Sequence, residues 1–255
     1  MKVIIGIPAR YQSSRLPGKA LAPLAGKPMI THVVARAHEA ALGEVLVATD
    51  DPRIAEAAAA AGATARLTTQ NHRSGTERLT EALDNDPCDV VVNLQGDEPL
   101  IDPAAIRAVV QPFVTEPTLA MATLARPARH DEIDNPNVVK VVCNAKGHAL
   151  YFSRATIPYP HHNRNTTPIW AHVGLYAYRK PFLMLYPTLS PCDSETSESL
   201  EQLRVLHHGY SIAVVQGEYR AFGVDTPEDL AQAEKLLMQR EREREGAALT
   251  ALGPV

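Results

Sequence analysis

Apolar and polar positions along the first half of the chain follow two different periodic patterns. Short apolar runs rich in β-branched residues are typical of strands covered on both faces, and they are separated by segments in which apolar residues recur every three or four positions. The pattern predicts strands at residues 3–7, 45–49, 89–94 and 119–124, and helices that begin at Pro28 or cover residues 54–61, 76–83 and 103–114. Strands that alternate with helices in this way form βαβ units, so the sequence predicts a doubly wound, mainly parallel α/β sheet.

The second half of the chain is less regular. It contains a predicted β-hairpin with its turn at 144–147, a loop at 158–168, strands at 171–178 and 212–215, a helix that includes 200–206, and a helix start at Thr226. These elements predict a smaller β-rich lobe at residues 126–190, inserted between residues 1–125 and 191–240 of a larger α/β domain. Residues 241–255 are charged and then small and apolar, and they are predicted to form a frayed tail.

The composition limits the functional classes. The chain has 255 residues and a formal net charge of −4, which argues against a general nucleic-acid-binding protein because phosphates require a basic face. Its three cysteines, Cys88, Cys143 and Cys192, are odd in number and widely spaced, as in proteins of reducing compartments. The N-terminal apolar run is too short to span a membrane. We therefore expect a cytoplasmic protein without membrane insertion.

A cationic loop follows the first predicted strand. Residues 8–19 read PARYQSSRLPGK and carry Arg10, Arg15 and Lys19 but no acid. This segment matches neither the P-loop pattern nor the G-x-G-x-x-G fingerprint, which excludes two common nucleotide-binding motifs. Ligands bind at the carboxyl ends of parallel strands, and arginine and lysine bind phosphate oxygens, so the loop is a candidate phosphate site. A solvated basic loop is the alternative interpretation.

Two aspartates are also predicted to lie near strand ends. Asp97 lies in QGDEP at 95–99, directly after an apolar strand, and Asp225 lies in GVDTP at 223–227, just before a helix cap. Either residue alone is also typical of a turn or a cap. Mg²⁺ is commonly bound by one or two carboxylates together with phosphates, so two aspartates and a cationic loop favour phosphoryl-transfer chemistry.

Seven segments in chain order extend this pattern. They are residues 8–19, 48–50 (ATD), 74–78 (SGTER), 95–99, 149–154 (ALYFSR), 200–204 (LEQLR) and 223–229 (GVDTPED). Together they resemble the 3-deoxy-manno-octulosonate cytidylyltransferases, the CMP-KDO synthetases of lipopolysaccharide synthesis. The resemblance implies a Rossmann-like sheet of the nucleotidyltransferase type and Mg²⁺ as the cofactor. It also implies the reaction, which is transfer of CMP from CTP to the anomeric hydroxyl of 3-deoxy-D-manno-octulosonate (KDO) with release of pyrophosphate.

The resemblance further implies roles for individual residues. The CTP-binding set is Arg10, Ser13, Arg15, Lys19, Ser74, Gly75 and Arg78, and the sugar-binding set is Gln95, Arg154, His172, Tyr176, Glu201 and Gln202. Arg15 and Lys19 would stabilise the departing pyrophosphate, and with Asp97 and Asp225 they form the catalytic set. The two aspartates would hold Mg²⁺. Arg154 can form two parallel bonds to a carboxylate, so it would bind the carboxylate of the sugar.

Two alternative functions remain at this point. The first is a cytidylyltransferase that acts on another acceptor, such as sialic acid, an amino-KDO or methylerythritol phosphate. The second is a nucleotide-binding protein without turnover. The presence of Lys19, Asp97 and Asp225 together argues against the second.

Two further expectations concern the second half of the chain. The β-rich lobe is expected to bind the sugar and to form a homodimer, because residues 171–185 carry more apolar side chains than an irregular region needs. Glu195 and Glu198 are three residues apart and are predicted to lie on a solvated helix face.

Overall fold

The computed structural model describes residues 1–13, 15–69, 72–161, 168–220 and 222–251. Within these ranges the strands are β1 (Val3–Ala9), β2 (Pro23–Leu24), β3 (Lys27–Pro28), β4 (Gly43–Thr49), β5 (Thr64–Leu67), β6 (Val90–Asn93), β7 (Met121–Pro127), β8 (Lys140–Cys143), β9 (Ala149–Ser153), β10 (Trp170–Arg179) and β11 (Ile212–Gln216). The α-helices are α1 (Met29–Ala40), α2 (Pro52–Ala60), α3 (Gly75–Ala82), α4 (Pro103–Ala108), α5 (Pro112–Thr115), α6 (Lys180–Leu185), α7 (Asp193–Glu198), α8 (Gln202–His207) and α9 (Pro227–Ala251).

One large sheet organises the described part of the chain. Its main path runs in the order β11, β7, β10, β6, β1, β4, β5. Strand β1 is parallel to β4 and β6, β4 is parallel to β5, and β11 is parallel to β7. Strand β10 lies between β6 and β7 and is antiparallel to both. The sheet is therefore mainly parallel, as the sequence predicts, with one reversed strand inside it.

The sheet is buried on both faces. All seven residues of β1 are buried, and their side chains alternate between two apolar clusters, with Ile5 and Ile7 on one face and Ile4 on the other. The first cluster includes side chains of α1, α2, α4 and α5, and the second includes side chains of α3, α6 and α8. Helices on both faces make the sheet doubly wound. They also explain why its parallel strands are continuous apolar runs in the sequence.

Several element boundaries differ from the prediction. The helix predicted at 103–114 is two helices, α4 and α5, because Pro112 has no N–H to continue the hydrogen-bond ladder and starts a new helix instead. The sequence pattern does not predict β5 or the β2–β3 hairpin. Helix α9 continues to Ala251, past the predicted start of a frayed tail at residue 241, since its glutamates, arginines and glutamines favour helix. Among the described residues no helix, α9 included, has the length and apolar character needed to cross a membrane.

The β-rich lobe is continuous with the main sheet. The predicted hairpin is present as β8 and β9, and β8 also pairs with the first residues of β10. Because β10 pairs with β6 and β7 as well, it belongs to both parts of the fold. The division of the chain at residues 125 and 190 stays a prediction. Most of the predicted loop at 158–168 lies outside the described residues.

Candidate active site

A cleft of about 550 Å³ opens at the carboxyl ends of β1 and β6, a volume typical of small-molecule sites. Five parts of the chain form most of its lining, namely the loop after β1, the start of α3, the loop after β6, β10 together with the start of α8, and the segment before α9. The cleft brings together most of the residues predicted from the sequence: Arg10, Ser13, Arg15, Lys19, Ser74, Gly75, Arg78, Gln95, Asp97, Tyr176, Glu201, Gln202 and Asp225. Two predicted residues, Arg154 and His172, do not line it.

The cationic loop is anchored at Tyr11. The Tyr11 N–H donates to Asp50 Oδ1 at 3.0 Å, and its carbonyl accepts the Gly18 N–H at 3.1 Å. The Arg53 guanidinium stacks over the Tyr11 ring, 4.2 Å from its centroid. Gly18 has a φ of 68°, a conformation that favours glycine. These contacts fix both ends of the loop and leave the side chains of its cations in the cleft.

The two predicted metal-binding aspartates meet at one lysine. Lys19 Nζ lies 2.6 Å from Asp97 Oδ2 and 3.1 Å from Asp225 Oδ1. Arg15 Nη2 lies 3.1 Å from the other oxygen of Asp225. A backbone bond from the Val224 N–H to the Asp97 carbonyl, 2.9 Å long, joins the two aspartate segments. Desolvation acts to lower the pKa of Lys19, but the two carboxylates overcome it and the pKa is raised.

The donor set at this point fits Mg²⁺. Asp97 and Asp225 contact the same nitrogen atom, so their oxygens are no farther apart than the sum of the two contacts to Lys19. Both side chains are partly exposed to the cleft, which leaves oxygens available to a cation. In the described part of the chain no cluster of three or more acids, histidines or cysteines could hold a metal alone. Two carboxylates supplemented by phosphates and water are what Mg²⁺ commonly takes.

A third acid lies next to this pair. Desolvation, together with the charges of Asp97 and Asp225, raises the pKa of Glu98 to about 8. Its Oε2 accepts the Phe222 N–H at 3.0 Å, which also ties the segment before Asp225 to the loop after β6. Glu98 has no predicted role beyond its place in the QGDEP segment, because its contact with Phe222 spans 124 positions of the chain.

The start of α3 packs closely on β1. Ser74 caps the helix, because its Oγ accepts the Glu77 N–H at 3.3 Å. A Cβ on Gly75 would lie 2.7 Å from the ring of Pro8, so only glycine allows this approach. The helix N-terminus is therefore held at the cleft beside the cationic loop.

Arg78 is held in one orientation. It is 3% exposed, and it donates to Thr68 Oγ1 at 2.6 Å and to Asp50 Oδ2 at 3.2 Å. Asp50 therefore joins Arg78 to Tyr11, since its other oxygen accepts the Tyr11 N–H. The sequence identified Asp50 only as part of the ATD segment and gave it no role. Its position at the end of β4, beside β1, was the signal that could have identified it as a link between the two loops.

The opposite side of the cleft is polar and mostly uncharged. Tyr176 donates its hydroxyl to Gln202 Oε1 at 3.3 Å, and Gln95 donates to Asn93 at 3.3 Å. Gln202 is 3% exposed, and its amide nitrogen has no hydrogen-bond partner among the described atoms. An unpaired buried donor is costly, so this nitrogen is suited to bind an acceptor on a ligand.

Glu201 is the one acid on this side. Poor solvation within the cleft raises its pKa, Arg204 opposes that effect, and Glu195 adds to it. The hydroxyl of Tyr186 lies 3.5 Å from Glu201 Oε2 and 3.4 Å from the Glu201 carbonyl. The Arg204 guanidinium in turn lies over the ring of Tyr186, with 5.1 Å between the guanidinium carbon and the ring centroid.

The prediction that Glu195 and Glu198 form a solvated face was wrong. Glu195 is 9% exposed and binds Arg204 through both oxygens, one of them 2.8 Å from Arg204 Nε. Glu198 accepts the Ser153 hydroxyl at 2.6 Å and the Arg154 N–H at 2.9 Å. The two acids tie α7 to α8 and to the end of β9.

The two predicted sugar residues outside the cleft lining have protein partners. Arg154 donates through Nε to the Glu198 carbonyl at 2.7 Å and through Nη1 to the Pro136 carbonyl at 3.0 Å. The His172 Nε2 lies 2.9 Å from Thr123 Oγ1, and its ring makes a T-shaped contact with Phe152, with ring centroids 5.1 Å apart. Their roles in sugar binding stay predictions.

Comparisons with known proteins identify the family of the chain. A family model described as cytidylyltransferase matches residues 3–212. A 3-deoxy-manno-octulosonate cytidylyltransferase from Anaeromyxobacter dehalogenans is 52% identical over 92% of this chain and 97% of its own length. The enzyme of the same name from Solibacter usitatus is 49% identical over 92% and 94%.

Solved structures give the same result. The structure of a CMP:2-keto-3-deoxy-manno-octonic acid synthetase complexed with CTP has a TM-score of 0.90 and 45% identity, covering 94% of this chain and all of the other. A putative glucose-1-phosphate thymidylyltransferase from Bacillus anthracis shares the fold alone, with a TM-score of 0.64, 18% identity, and coverage of 92% and 94%.

A doubly wound sheet with a cationic loop and two converging aspartates at its carboxyl edge defines a nucleotidyltransferase, and the chain belongs to the cytidylyltransferase family. Within that family it belongs to the 3-deoxy-manno-octulosonate cytidylyltransferases. The predicted fold class, enzyme class and family are confirmed.

His172 should make the stability of the protein depend on pH. Desolvation lowers its pKa to about 3, whereas histidine in an unfolded chain titrates near its ordinary value of about 6.5. Between these values only the unfolded chain binds the proton, so the free energy of unfolding decreases as the pH is lowered, by up to about 1.4 kcal/mol per pH unit. Between pH 6 and 4.5, the slope of unfolding free energy against pH should be smaller in His172→Asn than in the wild type, by the equivalent of about one bound proton.

The control for this measurement is His130→Asn, which changes an exposed histidine. Its slope should match that of the wild type. Equal slopes for the wild type and His172→Asn would contradict a His172 that stays neutral in the folded protein.

Proposed function

We propose that this chain transfers CMP from CTP to the anomeric hydroxyl of KDO, with an Mg²⁺ ion held by Asp97 and Asp225. The observation that carries the proposal is the meeting of these carboxylates with Lys19, between a cationic side and a polar side of one cleft. Such a transfer requires a site for phosphates and a site for a polyol, and the two sites must share one pair of acids. The relatives named above for the same reaction support it.

The cationic side would bind the triphosphate. Arg10, Arg15 and Lys19 come from one loop, and Ser13 lies between them. Pyrophosphate would leave toward Arg15 and Lys19, whose charges offset the charge that develops on it. Both residues are bound to Asp225 in this structure, so each would exchange a carboxylate for phosphate oxygens when CTP arrives. Phosphoryl transfer needs mainly this positioning and charge neutralisation.

The metal would act where the two substrates meet. Mg²⁺ bound at Asp97 and Asp225 would supply charge neutralisation at the α-phosphate and a lower pKa for the attacking hydroxyl. The hydroxyl of the sugar would then attack the α-phosphorus in line with the departing pyrophosphate. We assign no side chain as general base, and the proton would leave to water.

The polar side would bind the sugar. Gln95, Tyr176 and Gln202 present uncharged donors and acceptors, and Glu201 adds one acceptor, a set suited to several hydroxyls. Arg154 would bind the carboxylate of the sugar only after releasing its bonds to the Glu198 and Pro136 carbonyls.

We place the reaction in the cytoplasm. The three cysteines are free thiols in the structure, which is the state that a reducing compartment maintains. Both substrates are anionic small molecules, and the site needs no membrane partner.

A substrate panel tests the proposed function. Pyrophosphate release should be fastest with CTP and KDO, and slower by at least about tenfold with ATP or GTP, because Ser74, Gly75 and Arg78, which the proposal assigns to the nucleotide, are held by fixed contacts and would adapt little to a larger base. Sialic acid and methylerythritol phosphate should give little or no release, and an amino-KDO serves as the close competitor. Release with a different acceptor but not with KDO would contradict the assigned sugar. Binding of CTP without release for any acceptor would favour the non-catalytic alternative.

The shared metal site is tested by a double-mutant cycle. Asp97→Asn and Asp225→Asn keep the shape of the side chain but remove the charge that attracts the ion. Each should stay folded and lose at least about 100-fold in kcat, roughly 2.7 kcal/mol of barrier. The double variant should lose much less than the product of the single losses, because the acids act as one unit.

Asp102→Asn is the matched control for this cycle. Asp102 caps α4 through the Ala104 N–H, away from the cleft lining, and asparagine caps as well. Its activity should be unchanged. Losses that multiply in the double variant, or single variants insensitive to added Mg²⁺, would mean that the two acids do not share a metal.

We also propose a homodimer built on the β-rich lobe. Leu150 and Tyr151 of β9, Tyr159 after it, and Leu185 of α6 are exposed large apolar side chains, and such patches often mark interfaces. Light scattering at micromolar concentration should give twice the monomer mass. Leu150→Glu should shift the mass toward the monomer. Val114→Glu, which changes an exposed position of α5, should not. A monomeric wild type would contradict the proposal.

A further inference from the structure

Strand β10 carries a bulge at the cleft. Val173 pairs with Leu124 of β7, but the next paired residue, Tyr176, is opposite Thr123, the adjacent position. Gly174 and Leu175 are therefore extra residues without a partner in β7. Leu175 is 2% exposed and packs into the core, whereas Gly174 is exposed and lines the cleft.

Thr123 holds this bulge from below. Thr123 is fully buried, and its Oγ1 lies 3.2 Å from the Val173 carbonyl and 2.9 Å from the Leu175 carbonyl. His172 Nε2 lies 2.9 Å from the same oxygen, so a neutral His172 can donate its proton there while the hydroxyl donates to the carbonyls. The single proton of the Thr123 hydroxyl is thus shared between two carbonyls on either side of Gly174. The bulge is a fixed feature of the fold.

The protein itself does not require glycine at position 174. Its φ lies outside the left-handed region, and a Cβ built there has no heavy atom within 4 Å. Glycine in a strand is less stable than alanine by about 0.5 to 1 kcal/mol, so packing and conformation both favour a side chain here. The free space above Gly174 is therefore open to a ligand.

The position of β10 in the sheet indicates which substrate would use this space. The cationic loop follows β1, and β6 separates β1 from β10. Neighbouring strands are about 4.8 Å apart, which places β10 about 10 Å from β1. The cleft residues close to Gly174 in the chain or bonded to its strand are Tyr176 and Gln202, whose amide nitrogen is unpaired. These are groups for hydroxyls and not for phosphates.

We propose that Gly174 determines acceptor specificity, because the bulge lowers the floor of the sugar subsite and the absent side chain lets a sugar ring lie against the backbone. The inference rests on the proposed function, since it assigns part of the sugar subsite. The absent side chain at Gly174 would set a size limit for the sugar subsite, which hydrogen bonds from the cleft residues alone would not set.

The test separates sugar binding from nucleotide binding. Gly174→Ala should raise the KM for KDO at least tenfold and leave the KM for CTP within twofold. Gly174→Val should abolish turnover with KDO while it retains CTP binding, measured by calorimetry. Neither variant should have a lower melting temperature than the wild type, because alanine and valine are both more stable than glycine within a strand.

A second pair of variants tests the support beneath the bulge. Thr123→Val removes the hydroxyl at nearly constant shape and should raise the KM for KDO in a protein that still binds CTP. Thr123→Ser keeps the hydroxyl and should restore the KM for KDO to within threefold of the wild-type value.

Each contrary outcome is informative. An unchanged KM for KDO in Gly174→Ala and Gly174→Val would overturn the proposal, as would an equal rise in both KM values or a lowered melting temperature. A wild-type enzyme that does not use KDO would instead overturn the proposed function, and the two failures are therefore distinguishable.

Discussion

The contact of one ammonium group with two carboxylates is the interaction on which the site depends. Lys19 Nζ lies within 3.1 Å of both Asp97 and Asp225, which come from segments 78 and 206 positions away. Without a cation between them the two acids would repel each other at the open edge of the sheet. The lysine therefore holds the loop after β1, the loop after β6 and the start of α9 in one place. The two carboxylates in turn favour a positive charge at the position of the Lys19 ammonium group.

The reversed strand gives this charged centre a second, different neighbour. Strand β10 runs antiparallel between β6 and β7, and its bulge and Tyr176 lie beside the end of β6. One side of the cleft thus carries cations from a loop, and the other carries hydroxyl and amide groups from a strand and from α8. Because β6 leads directly into the segment with Asp97, the two aspartates lie between the two sides. Under the proposed function, the order of the strands would place two chemically unlike substrates on either side of one reaction centre.

Residues that belong to strand ends could be predicted, and residues that depend on contacts between distant elements could not. Asp97 and Lys19 follow apolar runs, so the rule for parallel sheets locates them without a structure. Glu195 and Glu198 look solvated in the sequence, since their burial depends on Arg204 and on Ser153, which belong to other elements. The apolar pattern of the sequence does not reveal the bulge of β10. Its carbonyls accept from Thr123, which belongs to another strand.

The protonation states of groups around the cleft help to explain why its two sides differ. Desolvation lowers the pKa of His172 to about 3, so the support beneath the bulge of β10 adds no positive charge at neutral pH. On the other side, charge is concentrated on Lys19 and its two aspartates, whose carboxylates are partly exposed. The Gln202 amide nitrogen is a buried donor without a described partner, and leaving such an atom unpaired is costly. Under the proposed function, the sugar would therefore be selected by shape and hydrogen bonds, whereas the nucleotide would be held by charge.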